Sequence, residues 1–441
     1  MIALKHNMKI KYFITIFFFL AAWSLKTALA QTDVYLKLST SERRPIELAV
    51  TPVQAQGKIP QETVAKVKGV VDVLSDDLAF SLYFQLIEPP DSDPGYGFQK
   101  GPVQAGSWQL LGAKMLLIPE LRSDKKQDHL KVRIYDLGVG RDIFTKEIIV
   151  DHSRGQAHRI CDEIIKALTG ENGAASTKIA FCRKNGQNKE LALVDYDGHN
   201  LQKLTALNTI NLSPDWSPDG SKLAFISFQR NRTEIYSLDM RAWKLQVISQ
   251  VEGLNTSPAW SPDGRKMALT LSRDGNAEIY LYTLDSRSLQ RLTNSWAIDC
   301  SPGWSPNGRE LVFTSDRPGS PQIYLMDADG SNIRRLTYQG NYNTSPVWSP
   351  KGDKIAFVSR INGLFQICAM NVTGDGYTQL TYEGDNEDPS WSPDGLHLAF
   401  SSNRTGSSQL WLMHWEGSGQ KAVTNLSGAL MPAWSPFLPT P

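Results

Sequence analysis

The feature that most restricts the fold is a phrase repeated along the second half of the chain. "SPDWSPDGSKLAFI" begins at Ser213, close copies begin at Ser257, Ser301, Ser345 and Asp388, and a fragment, "MPAWSPFLPTP", begins at Met431. The tryptophans at its centre, Trp216, Trp260, Trp304 and Trp348, are spaced by 44 residues, and Trp391 and Trp434 follow at steps of 43. A fixed period of this size signals an array of supersecondary units. After every Trp but the last stands Ser-Pro-x-Gly, in which proline presets φ for a turn and glycine supplies the positive φ of its corner.

Within one unit, "KLAFIS" at Lys222, "EIYSLDM" at Glu234 and "KLQVIS" at Lys244 are β-type runs separated by polar stretches, and the chain then returns to the next phrase. The spacing predicts four antiparallel strands per unit, the pattern of a β-propeller blade. The β-branched and aromatic runs exclude a helical repeat of similar period. The strand after the turn recurs at Lys178, Lys222, Lys266, Glu310, Lys354 and His397, which predicts six blades. The first copy has no Trp strand upstream, and the last Trp strand, 431–435, has no apolar run downstream. The two halves are expected to pair, so that the C-terminal strand closes the ring beside Lys178 and removes an open sheet edge.

Upstream, residues 1–30 read as a cleavable secretory signal. Lys5, Lys9 and Lys11 precede the apolar run "YFITIFFFLAAWSL", and "ALA" at Ala28 to Ala30 offers small residues for cleavage. The apolar run is shorter than the roughly 20 residues of a spanning helix, and no other segment is expected to cross a membrane. Residues 31–170 follow different rules. "DVYLKLS", "ELAVTPV", "AKMLLIPEL", "HLKVRIYDL" and "FTKEIIV" are predicted strands, while "ETVAKVKGVVDVLSDDLAFSLYF" and "GQAHRICDEIIKALTG" carry helical spacing. The fold class is therefore an α/β N-terminal domain followed by a six-bladed all-β propeller over 177–441.

Lys and Arg total 46 against 45 Asp and Glu, so there is no electrostatic footprint for nucleic acid. The cysteines at 161, 182, 300 and 368 lack metal-ligand spacing. Cys161 and Cys182 are the one pair close in sequence, with buried thiols the commoner alternative to a disulfide. No GxSxG, HExxH, Walker A or GxGxxG motif occurs. His397 reads as a solvated strand end, and His152 and His158 as surface or capping groups beside a helix start.

One polar constellation remains. Five residues before each Trp stand Asn211, Asn255, Asp299, Asn343 and Asn386, with Ala429 in the sixth place. Each lies where an outer strand returns to an innermost one, at the mouth of the central channel. Two readings stay open: side-chain bonding that shapes the loop, and a polar ring that meets a ligand. A calcium ion on this ring would find one acid among five polar positions, a weak donor set, and no cofactor or metal is expected.

The signal segment, the domain opening with "DVYLKL" and "RRPIELAVTPV", the helix ending "ALTG", the "WSPDG" blades and the terminal "PAWSPFL" together resemble the TolB family of the Tol-Pal system over essentially the whole mature chain. The resemblance implies a non-enzymatic periplasmic protein of a Gram-negative envelope. It implies that the channel mouth docks the lipoprotein Pal, which maps here to Asn211, Leu254, Asn255, Thr256, Asp299, Cys300, Ser301, Asn343, Thr344, Asn386 and Glu387. Known members carry His and Thr where this chain has Leu254 and Cys300. The extreme N-terminal segment recruits the inner-membrane protein TolA, mapping to Asp33, Val34, Tyr35, Leu36, Lys37 and Leu38. Other envelope proteins and bacteriocin translocation segments are further candidate partners. The alternative from another class is a propeller enzyme, a peptidase or a polysaccharide lyase, working through the central channel.

Overall fold

A computed structural model of the chain describes residues 44–88, 105–124, 127–151, 153–229, 231–423 and 426–438. The signal segment, the expected TolA-binding segment Asp33 to Leu38 and His152 lie outside the described residues.

The N-terminal domain is one sheet with helices against it. Strands β1 (Ile46–Val50), β2 (Gln54–Gln56), β3 (Phe84–Ile87), β4 (Met115–Ser123), β5 (Asp128–Asp136) and β6 (Arg141–Ile149) run in the order β3-β1-β4-β5-β6, with β2 also beside β4. Alternation along the strands divides the core. Leu48, Leu117, Leu121 and Val132 pack with helices α1 (Gln61–Phe80) and α3 (Arg154–Thr169), whereas Ala49, Leu116 and Ile118 pack with Trp108 of the short α2 (Ala105–Leu110). Helix α1 buries Val67, Val70, Val71, Leu74 and Leu78 at helical spacing. Helix α3 starts where the Ser153 side chain accepts the Gln156 N–H and stops at Gly170, φ 77°.

The sequence reading carries α1 onward through "SLYF", and the structure corrects this. The helix ends at Phe80, the Ser81 hydroxyl donates to the Leu78 carbonyl at 2.6 Å, and Leu82 takes φ 63°. That backbone is incompatible with a right-handed helix, so Phe84–Ile87 turns away to pair in parallel with β1.

The rest is six four-stranded antiparallel sheets. The innermost strands are Asn211–Trp216, Asn255–Trp260, Asp299–Trp304, Asn343–Trp348, Asn386–Trp391 and Ala429–Trp434. The C-terminal strand closes the ring as expected: Trp434 lies opposite Ile179 and Ala433 opposite Ala180, in the same sheet as Asn188–Asp195 and Gln202–Lys203. Trp434 Nε1 also donates to Thr177 Oγ1 at 2.7 Å. Two other indoles bond across blade boundaries, Trp216 donating to the Ala433 carbonyl and Trp304 to the Ala259 carbonyl, each at 3.1 Å.

Every innermost strand carries a bulge. Ser213, Ser257, Ser301, Ser345, Asp388 and Met431 have φ between 50° and 56°, and the pairing register shifts at each of them. A proline follows each one, and a bulge tolerates a residue without an N–H. The X-Pro before each Trp, Ser-Pro in four blades, is thus a bulge, while the Ser-Pro after it is the turn: Ser217 Oγ accepts the Lys222 N–H at 2.9 Å and donates to Asp219 at 2.6 Å.

The N-terminal domain packs against blades one and six, and two histidine readings change there. His397 is buried, not solvated: its ring stacks on Phe80 at 4.2 Å and its Nε2 bonds the Phe80 carbonyl at 2.7 Å. His158 is likewise buried, with Nδ1 2.7 Å from Asp77 Oδ2 and Nε2 3.4 Å from Asp197 Oδ2. Tyr196 of blade one donates its hydroxyl to Asp77, and Arg154 Nε donates to Asp197 at 2.8 Å. His414, half-buried, completes the group beside His397 and Phe80.

Burial disfavours the charged form of His158, yet the bonds to Asp197 and Asp77 outweigh it and raise its pKa to about 9. A group whose pKa is raised on folding stabilises fully below its unfolded value, near 6.5, and loses that contribution as pH climbs through the folded value. The expected result is that wild-type protein loses about 2 kcal/mol of stability between pH 6.5 and 9 relative to His158→Gln. Denaturant titrations of the two proteins across that range check it, and equal slopes would contradict it.

Candidate functional site

Antiparallel blades sort their connections onto two faces. The Ser-Pro-x-Gly turn and the turn from third to fourth strand lie on one face, while the turn from second to third strand and the return to the next blade lie on the other. Phe80 meets His397, directly after a Ser-Pro-x-Gly turn, and Asp77 meets Tyr196, at the end of a third strand. The N-terminal domain therefore occupies the turn face, and the described residues leave the return-loop face uncovered. A channel of about 390 Å³ runs between the innermost strands, lined by the bulge serines and prolines and by Asp215 and Asp388.

The polar ring sits at this open face, but its side chains do not point into solvent. Asn211, Asn255, Asp299, Asn343 and Asn386 are each 0% exposed. Asn211 Nδ2 donates to Glu190 at 3.0 Å, Asn343 Nδ2 to Gln322 at 2.9 Å and Asn386 Nδ2 to Gln366 at 3.1 Å. The same Glu190, Gln322 and Gln366 accept from Thr205, Thr337 and Thr381. Each set ties an innermost strand to the third and fourth strands of the blade before it. Asn255 instead bonds Ser249 at 2.6 Å and the Val251 carbonyl at 2.8 Å. Asp299 accepts from Arg317 at 2.7 Å, and burial pushes its pKa up to about 6 despite that partner. The side chains of these five residues, expected to face the mouth where Pal docks, are instead buried and bonded within the chain, four of them across a blade boundary and Asp299 to Arg317 of its own blade.

The other expected mouth residues do reach the surface. Leu254 and Glu387 are exposed, and Thr256, Cys300, Ser301 and Thr344 are half-buried on neighbouring blades. Burial raises the pKa of the Cys300 thiol and of Glu387. Sequence reasoning missed the equivalents of Leu254 on the other blades: six residues before each Trp stand Ile210, Ile298, Tyr342, Asp385 and Gly428. The signal was the repeat itself, read one residue too late. It also missed the exposed aromatics of the return loops, Trp296 (79%), Tyr338 (76%) and Tyr382 (70%).

The two channel carboxylates are bound within the chain as well. Asp215 accepts the Trp260 N–H at 2.8 Å, with burial pushing its pKa up to about 7, and Asp388 accepts from Ser401 at 3.3 Å. Among the described residues one group has metal-ligand geometry, His158 with Asp195 and Asp197. There Lys178 pairs with Asp195 and Arg154 with Asp197, so cations already fill the role of a metal. The described cysteines, including Cys161 and Cys182, are free thiols.

Residues 165–438 match the family model described as the TolB beta propeller domain, and residues 34–143 match the TolB amino-terminal domain. The Tol-Pal system protein TolB of Geobacter sulfurreducens is 38% identical over 222 residues, 50% of each chain. That of Desulfosudis oleivorans is 36% identical over 206 residues, 45% of this chain and 46% of the relative. These matches span about half the length of either relative. The crystal structure of TolB from Acinetobacter baumannii superposes with a TM-score of 0.77 at 29% identity, covering 89% of this chain and 97% of that one.

Proposed function

Because the chain belongs to the TolB family, we propose that it is a non-enzymatic periplasmic binding protein linking the Pal lipoprotein of the outer membrane to TolA of the inner membrane. In this role it supports outer-membrane integrity and invagination during division. The observation that carries the reading is the uncovered return-loop face, where Leu254, Thr256, Cys300, Ser301, Thr344 and Glu387 reach the surface on four successive blades while the N-terminal domain packs on the opposite face. Pal docks on this mouth. TolA takes the segment Asp33 to Leu38, whose alternating apolar and polar residues suit addition to a sheet edge. Coupling between the sites needs that segment to have two states whose free energies respond to Pal, typically by about 1 to 3 kcal/mol. The enzyme alternative is less well supported, because both channel carboxylates are already hydrogen-bonded within the chain.

Deleting Thr32 to Leu38 is expected to eliminate TolA binding and spare Pal binding, since "STSERRP" between this segment and β1 is polar and turn-prone. Paired pull-downs on full-length and shortened protein check it. Retained TolA binding places that site on the folded domain and defeats the assignment.

A further inference from the structure

Resting on the reading that Pal docks at the channel mouth, we propose that this mouth grips its partner by an apolar side chain flanked by a lysine or arginine. The grip would be formed by an apolar crescent running from Ile210 through Leu254 and Ile298 to Tyr342, and by an acidic end at Glu387.

The crescent is built by the repeat. Its four members occupy the same register position in successive return loops, six residues before Trp216, Trp260, Trp304 and Trp348. Leu254 and Ile298 are 49% and 50% exposed, large values for branched apolar side chains. Their backbones are fixed from both sides. The Leu254 N–H donates to Ser272 Oγ at 2.8 Å and its carbonyl accepts the Ser272 N–H at 3.1 Å. The Ile298 N–H donates to Asp316 Oδ1 at 2.7 Å and its carbonyl accepts the Asp316 N–H at 3.3 Å. A loop backbone held this way is ordered before binding, which favours affinity. At the fifth blade boundary the character changes to acid. Asp385 takes the same register position, with its N–H and carbonyl bonded to Asn403, and exposed Glu387 follows two residues on. The carboxylate of Asp385 is engaged by Phe365 and Asn403, whereas Glu387 pairs with no cation among the described residues. Arg404, on the turn between His397–Ser402 and Gln409–His414, is turned inward onto Asn386 and the Trp411 ring. An apolar surface ending in an unpaired carboxylate is complementary to an apolar group beside a cation.

The test is calorimetric titration of the full chain with the lipid-free soluble domain of Pal, at low and high salt. The crescent predicts that Leu254→Asp with Ile298→Asp weakens binding at least ~30-fold, as loss of a hot spot does, and shrinks the negative heat-capacity change that marks apolar burial. Glu387→Lys is predicted to weaken binding several-fold at low salt and to remove its salt dependence. The milder pair Leu254→Ser with Ile298→Ser provides a second variant with the same expected direction. If wild-type protein binds and these variants bind with unchanged affinity, the crescent is not the grip, though the mouth reading survives. If wild-type protein does not bind Pal at all, the mouth reading falls and takes this inference with it.

Discussion

Removal of residues 431–441 is expected to abolish the cooperative unfolding transition of the propeller or to drive it into polymers. The deleted piece contains most of an innermost strand. Ala433 and Trp434 are buried and pair with Ala180 and Ile179, and Trp434 Nε1 donates to Thr177. Truncating one buried Trp costs about 3 to 5 kcal/mol, against a total stability of about 5 to 15 kcal/mol for a typical domain. The loss here also includes the ladder bonds and the contact between blades one and two, since Trp216 donates to the Ala433 carbonyl. The edge of Lys178–Asn185 then lies open to pair with another chain. Thermal melting with light scattering checks this, and a truncated protein that stays monomeric and melts with the full-length transition refutes it.

Replacing Asn255, Asp299 and Asn343 together by lysine is expected to prevent folding. On a solvent-facing ring such changes would cost little, but each of these side chains is fully buried, and three ammonium groups would need to be desolvated without partners. Asn386→Ala alone should cost about 2 to 4 kcal/mol, because it strands buried polar groups. Its amide donates to Gln366, Glu383 and Gly384, and its oxygen accepts from Arg404 at 2.8 Å. Glu387→Lys, one residue on but exposed, should change stability by less than about 0.5 kcal/mol. Chemical denaturation of the two single variants separates the roles. Equal stability would mean that the ring is not a structural tie.

The architecture was legible because it is periodic. Six tryptophans, the Ser-Pro-x-Gly turns and the orphan strand at Met431 define the blades and their closure through local turn chemistry alone. The ring was legible as a pattern, with loop-shaping bonds and ligand contact both left open, but its orientation was not legible. Whether Asn343 faces solvent depends on Gln322 and Thr337 of the preceding blade, and no local signal reports a hydrogen bond between blades. The same limit explains His158 and His397. Their partners, Asp77 and Phe80, lie 81 and 317 residues away, and helical or strand periodicity carries no information about such pairs. The end of α1 escaped for a different reason: Leu82 and Phe84 keep helical spacing by coincidence, while the backbone at Leu82 has already left the helix.

The most direct test of the whole account is amide hydrogen exchange on the full chain with and without saturating Pal soluble domain. New protection is expected only in the return loops at 206–211, 251–257, 294–301, 338–345 and 382–388, with the Ser-Pro-x-Gly turns at 217–220 and 261–264 unchanged. Protection on those turns in place of the return loops, or no protection anywhere, would contradict the claim that this propeller receives its partner at the open mouth.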